Sequence, residues 1–221
     1  MLKAHEVLAE KIFEDRLEKL IDPSGTRDKF RAVTITLEHN EAIHIYKEKD
    51  NSSRVVLGPN VVMLEYDEHV TINILSGKTP KEEGIIKTLK IRLGPDFMSD
   101  IFKVETSNCA KLKVAISYNW QFKYDRDDQE SLKKIFNVRD FVGDTCRELK
   151  SKVVAEVASR TLDEFHKNSA KLIRTAIFGM TDGKVNDEYF FPSNNLSVTN
   201  CDIKSVESLD KESQQSLREI V

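Results

Sequence analysis

The chain has 221 residues, of which 39% are apolar and 32% charged, with a formal net charge of −3. A chain of this size buries enough surface to hold a core without disulfide or metal support. Its near-neutral balance excludes a dedicated binder of phosphate backbones, which would carry a strong basic excess. The cysteines, Cys109, Cys146 and Cys201, are odd in number and scattered. That pattern fits reduced thiols in a reducing compartment rather than a disulfide framework. No apolar run approaches the ~20 residues of a membrane span. Met1 to Glu6 holds no basic stretch leading into an apolar one, so a soluble cytoplasmic chain is expected.

Residues 4–21 carry Val7, Leu8, Ile12, Phe13, Leu17, Leu20 and Ile21 at near-helical spacing, and Asp22-Pro23-Ser24-Gly25 stops the pattern. Alternation of period two follows. Val33, Ile35 and Leu37, then Ile43 and Ile45, then Val70, Ile72 and Ile74 each interleave with polar residues. Short strands at this spacing predict a small antiparallel β module through about residue 93. Inside it, Arg54-Val55-Val56-Leu57-Gly58-Pro59-Asn60 resembles Lys90-Ile91-Arg92-Leu93-Gly94-Pro95-Asp96, which points to a repeated element ending in a Gly-Pro turn.

Two further strands are expected between Ile101 and Tyr124, broken near Ser107-Asn108, with Val114, Ile116, Tyr118 and Trp120 on one face. The pattern then turns helical. A short helix is expected over Gln129–Phe136 and a long one over Arg139–Arg160, with Val142, Cys146, Leu149, Val153 and Val157 along one side. Asp163 is the expected N-cap of a third helix reaching Phe178, with Gly179 as its stop. Residues 180–195 read as a polar loop. Leu196, Val198 and Ile203 predict a last strand whose register slips near Asn200-Cys201. From Ser208 an amphipathic helix begins, and the sequence stops at Val221 inside it, as expected of a piece of a longer chain.

The motifs that suggest chemistry fail on inspection. Ser76-Gly77-Lys78-Thr79 looks like the end of a phosphate loop, but the position five residues before its glycine is Ile72, and Pro80 follows at once. Asp125, Asp127, Asp128 and Glu130 suggest a calcium loop, yet its sixth and twelfth positions would be Glu130 and Phe136 rather than Gly and Glu. His5, His39, His44, His69 and His166 form no zinc-ligand spacing. There is no Gly-x-Ser-x-Gly. Asp144 with Glu148, and Asp163 with Glu164, read as solvated helix-surface pairs. Neither a catalytic residue, a metal ligand nor a cofactor is expected.

One resemblance covers nearly the whole chain. It is carried by Leu93-Gly94-Pro95-Asp96-Phe97, Tyr118-Asn119-Trp120, Asp140-Phe141-Val142-Gly143-Asp144, Phe165-His166-Lys167-Asn168-Ser169, Ile173-Arg174-Thr175-Ala176 and Phe178-Gly179. In this order and spacing the string resembles the shoulder domain of the major vault protein family. The segment before it, with Arg54-Val55-Val56 and Gly58-Pro59, is similar to that family's last β repeat, and the stretch from Ser208 looks like the start of its cap helix. Residues 4–21 match more loosely, and the family's upstream repeats and cap ring have no counterpart in the sequence.

The resemblance implies an α+β fold in three parts: a repeat module with an N-terminal helix over residues 1–92, a shoulder over 93–207, and a cap helix beginning at 208. The shoulder is expected to resemble stomatin, prohibitin and flotillin domains, with helices packed on one side of an antiparallel sheet. The implied function is that of a non-enzymatic shell subunit of a ribonucleoprotein particle, packed beside copies of itself, in the cytoplasm and the nucleus. The implied particle partners are a poly(ADP-ribose) polymerase, a telomerase-associated protein and small untranslated RNAs. Leu217, Ile220 and Val221 are the candidate assembly contacts. A stomatin-like scaffold on membrane lipid domains is the alternative, although no lipid-anchor signal is present.

Overall fold

The computed structural model of the chain describes residues 34–209, Tyr66 excepted. The expected helix over 4–21 and the assembly residues Leu217, Ile220 and Val221 lie outside the described residues. The described chain is α+β and forms two compact units interleaved in sequence. The first takes the chain up to Ile74, then Ile86–Leu93 and Tyr124–Arg139; the second takes Leu75–Ile85, Gly94–Lys123 and the chain from Asp140 on.

In the first unit, strand β2 (Glu41–Lys47) is paired antiparallel with β3 (Ser52–Leu57), β5 (Glu68–Val70) and β8 (Ile91–Arg92). Strand β1 (Thr34–Leu37) pairs with β4 (Asn60–Met63). The period-two pattern is what buries these strands. Ile35 and Leu37 of β1, Ile43 and Ile45 of β2 and Val62 of β4 meet Leu89 in one apolar cluster. Thr34 and Thr36 face outward. The expected single strand through Val70, Ile72 and Ile74 is in fact two, β5 and β6 (Asn73–Gly77). Its first half pairs with β2 and its second with β7 (Glu82–Thr88), so one continuous alternation serves two sheets.

Two polar devices hold this unit. Arg54 donates two parallel bonds, at 2.9 and 3.0 Å, to the buried carboxylate of Glu68, which also accepts the Glu65 N–H. Burial works to raise the Glu68 pKa, but these bonds outweigh it and hold the group below the usual glutamate range. The outer edge of β3 is covered at Val55 by the Gln129 amide, which accepts the Val55 N–H at 3.0 Å and donates to its carbonyl at 3.3 Å. Gln129 opens helix α1 (Gln129–Lys134), N-capped by Asp128, whose Oδ1 accepts the Glu130 N–H.

The second unit is a four-stranded antiparallel sheet in the order β13 (Tyr189–Phe191), β14 (Leu196–Ser208), β10 (Lys111–Phe122), β9 (Asp96–Glu105). Helices α2 (Phe141–Ala158) and α3 (Leu162–Phe178) pack on one face of it. Strict alternation along β10 sends Leu112, Val114, Ile116, Tyr118, Trp120 and Phe122 under the helices, and all six are buried. Trp120, Phe122 and Phe141 meet edge to face with ring centroids 5.1–5.6 Å apart. The buried stripe of α2 starts at Phe141 rather than the expected Val142, then runs through Cys146, Leu149, Val153 and Val157.

Strand β14 slips register twice against β10. Asn119 faces Asn200 while Trp120 faces Val198, leaving Thr199 as an extra residue; Lys204 is extra in the same way between Ile203 and Ser205. The slip expected near Asn200-Cys201 is therefore a bulge at Thr199. It has a clear purpose. Val198 and Cys201 are three residues apart and would point to opposite faces of a regular strand; the inserted residue turns both inward, opposite Trp120 and Tyr118.

Two local expectations are corrected. The third helix is capped by Thr161, not Asp163: Thr161 Oγ1 accepts the Glu164 N–H while Glu164 accepts the Thr161 N–H, a capping box. Asp163 lies inside the helix and pairs with Lys167. The stretch 180–195 is not a plain loop. It holds a hairpin of β11 (Met180–Thr181) and β12 (Lys184–Val185), turned at Asp182-Gly183 with φ of 51° and 76°, and then the edge strand β13. An Asp-Gly pair is the residue choice for such a two-residue turn. Gly179, with φ of 73°, ends α3 as expected.

Candidate functional site

The residues that suggested chemistry are occupied in holding the fold. Ser76 lies in β6, and its N–H and Oγ are given to Asp140, at 2.9 Å to Oδ1 and 2.6 Å to Oδ2. A phosphate loop would have to aim that N–H at its ligand. Lys78, at φ 60°, pairs with Glu82 at 2.6 Å instead of facing a nucleotide site. Asp125 Oδ1 accepts the Asp127 N–H, and Asp128 caps α1. Among the described residues no group of three His, Cys, Asp or Glu could hold a metal ion. The Cys146 thiol lies 3.6 Å from Met98 Sδ, and burial pushes its pKa up to about 12; burial does the same to Cys201. Such thiols are protonated packing groups. Asp144 is paired with Arg147, and Glu148 accepts the Tyr189 hydroxyl at 2.5 Å. His166 is exposed on α3, away from any cluster.

The feature built with most polar precision is the start of α2, where three of the quoted motif residues meet. Asp140 is the N-cap: its Oδ1 accepts the Gly143 N–H at 3.0 Å. The same carboxylate holds Ser76 in the β6–β7 hairpin, 64 residues earlier in the chain. Gly143 must be glycine here, because a Cβ would stand 2.4 Å from Asp140 Oδ2 and 2.5 Å from Ser76 Oγ. Asp100, buried on β9, accepts the N–H groups of Lys81 and Ile101, which ties the other end of the hairpin turn. The Asp140-Phe141-Val142-Gly143-Asp144 motif is thus a clamp that seats a helix and a hairpin together, not a site for a ligand.

What remains available is surface. On β4, Val61 and Met63 are each 63% exposed and face outward beside Thr36 and Thr34 of β1. On the second unit, the sheet face opposite the helices carries Phe97, 66% exposed, at one edge and Phe190, 41% exposed, at the other. Between them lie Asn119 and Gln121 of β10. The β9 edge itself is partly closed to strand addition. Phe97 and Ile101 turn their N–H groups away from β10, and each is taken at 2.8 Å by the carboxylate just before it, Asp96 and Asp100. Contacts with another chain at this edge would therefore use side chains more readily than backbone pairing. No described helix is long and apolar enough to cross a membrane.

The two Gly-Pro copies, Gly58-Pro59 and Gly94-Pro95, are both strand-ending turns at close approaches. Gly58 sits between β3 and β4, where a Cβ would fall 1.8 Å from Glu38 O. Gly94, with φ of 84°, leads into β9, where a Cβ would fall 2.7 Å from the Gln121 Cα.

Comparison with known proteins matches these features to one group. Residues 32–93 match the family model of the major vault protein repeat domain, and residues 94–210 match that of the shoulder domain. Over its whole length the chain is 46% identical to major vault protein alpha of Dictyostelium discoideum and 42% identical to the major vault protein of Trypanosoma cruzi, covering 27% and 28% of those proteins. It is 43% identical, over 88% of its length, to the major vault protein of Diplobatis ommata, covering 23% of it. The chain thus spans about a quarter of the length of the curated relatives it matches. With a repeat domain, a shoulder domain in the same order, and this identity to proteins from such distant organisms, the chain belongs to the major vault protein family.

Proposed function

We propose that this chain is a non-enzymatic structural segment of a vault shell, in which copies stand side by side as staves of a hollow cage. The observation that carries the reading is the order of the two matched domains, repeat at 32–93 and shoulder at 94–210, which together account for all of the described chain. In support, the acidic residues and buried thiols of the second unit serve caps, clamps and packing, as a wall element requires. The exposed faces at Val61 and Met63, and at Phe97 and Phe190, are the surfaces we assign to contact between copies. In this reading the chain divides into a repeat module over 1–92, a shoulder over 93–207 and a cap segment over 208–221, in which Leu217, Ile220 and Val221 supply assembly contacts; Ser208 itself, expected to open the cap helix, is instead the last residue of β14, paired with Leu112. The cell compartments are the cytoplasm and the nucleus. A vault-associated poly(ADP-ribose) polymerase, a telomerase-associated protein and small RNAs are the partners of the assembled particle.

Grafting residues 32–209 into the corresponding stretch of the full-length Dictyostelium relative tests this. Closed particles are expected by electron microscopy. A folded chimaera that yields none would overturn the assignment. Flotation of the 221-residue chain with lipid vesicles separates the stomatin-like alternative: it should remain in the bottom fraction, and clear flotation would favour a membrane scaffold.

A further inference from the structure

We propose that helix α1 is a proton-operated latch: protonation of His44 loosens residues 124–139 from the first unit while the β module stays folded. His44 is on β2, half-buried, with Nδ1 2.8 Å from Thr71 Oγ1. Its ring stacks on Phe136, just beyond the end of α1, with centroids 5.3 Å apart and planes inclined by 26°. This stack is one of the fastenings of the α1 segment, beside the Gln129 amide on Val55 and the fully buried side chains of Leu132 and Ile135. Residues 124–139 are also a special stretch of chain. They lie in sequence between β10 and α2, both in the second unit, yet fold with the first.

The surroundings of His44 are one-sided in charge. From α1 the facing charge is Lys133, which is paired with Glu130 at 2.7 Å on its own helix. From β3 the residue opposite His44 is Val55, and the turn after β5 presents Thr71. No carboxylate faces the ring among these. His69, the other imidazole of this sheet, lies opposite Tyr46 and is directed at Glu48, 3.4 Å away. A proton on His44 therefore places a half-buried cation near Lys133, whose charge is shared with Glu130, with no carboxylate bonded to the imidazolium itself, and the interaction of an imidazolium with the Phe136 face returns only part of that cost. Burial first, and Lys133 second, lower the His44 pKa below its ordinary 6.5. A lowered folded-state value means that the docking is at full strength above pH 6.5 and is lost as the pH falls through the lowered value.

Hydrogen exchange of the 221-residue chain at pH 7.5 and pH 5.5, corrected for intrinsic rates, tests the latch. Peptides covering 124–139 should lose protection several-fold at the lower pH, while β2 and β3 amides stay protected. His44→Phe keeps the ring stack without a titrating nitrogen and should make that protection independent of pH; His69→Gln should leave the pH dependence intact. Equal protection of 124–139 at both pH values in the wild type would overturn the proposal, as would the same loss persisting in H44F. Should H44F not fold, the imidazole resonances of the wild type decide: a His44 titration midpoint below the ordinary histidine value supports the latch, and one at or above it refutes it.

Discussion

Removing the Asp140 carboxylate is the sharpest test of how the second unit is built. Asp140→Ala deletes three hydrogen bonds at once: the Gly143 N–H that caps α2, and the N–H and Oγ of Ser76. Loss of an N-cap costs about 1 kcal/mol. The two bonds that tie Ser76 to a carboxylate contribute about 2 kcal/mol more at this partly buried position, with the Ser76 donors left without an acceptor. The expected total of about 3 kcal/mol lowers the folding equilibrium by roughly a hundredfold. Trp120 is the chain's one tryptophan and packs on Phe141, so its fluorescence in a urea titration reports on this unit directly. The contacts of the clamp are also coupled. Gly143→Ala alone should cost about 2 kcal/mol, because its methyl would overlap Asp140 Oδ2 and Ser76 Oγ. In a D140A/S76A background both obstacles are gone, and the same substitution should cost less than about 1 kcal/mol. A D140A midpoint within about 0.5 kcal/mol of wild type, or strict additivity of the three changes, would refute the clamp.

Three further outcomes are expected. Gly58→Ala should destabilise the first unit by more than about 3 kcal/mol, since its Cβ would lie 1.8 Å from the Glu38 carbonyl oxygen; circular dichroism melting checks this, and a wild-type melt contradicts the turn geometry. Tyr118→Phe should be neutral or stabilising by about 1 kcal/mol, because the buried Tyr118 hydroxyl has no hydrogen-bond partner; a loss of stability measured by urea would mean the hydroxyl is satisfied after all. Arg54→Ala should cost about 3 kcal/mol by leaving Glu68 buried and unpaired. The Glu68 pKa is held below its ordinary 4.5, so the stability it contributes is present above that pH and is lost as the pH falls through the lowered value. In R54A this acid-limb dependence should flatten, and an unchanged stability profile between pH 3 and 6 would refute the assignment.

Much of the secondary structure was legible because it follows local periodicity. The alternation of β10, the stripe of α2 and the Gly179 stop each depend on neighbours within a turn or two, and each lies where the residues placed it, save that the α2 stripe opens at Phe141 in place of Val142. The misses are equally local in origin. Thr161 and Asp163 are both good N-caps, and only the reciprocal bond to Glu164 distinguishes them. Strand β13 is three residues long, too short to show a period, although Asp182-Gly183 before it was a readable turn signal.

The sequence by itself determined the alternation of the strands, the existence of helices α1 to α3 and, through its motif order, the family of this chain. The tertiary structure alone decided what those motifs do. Ser76 and Asp140 meet although 64 positions apart in sequence and Val55 and Gln129 although 74 apart, and a bulge at Thr199 is needed before Val198 and Cys201 share a face. Periodicity is a property of adjacent residues, whereas a hydrogen-bond partner is a property of the packed chain. A run such as Ser76-Gly77-Lys78-Thr79 therefore looks chemical in one dimension, and becomes a clamped hairpin once its donors have found their acceptor in three.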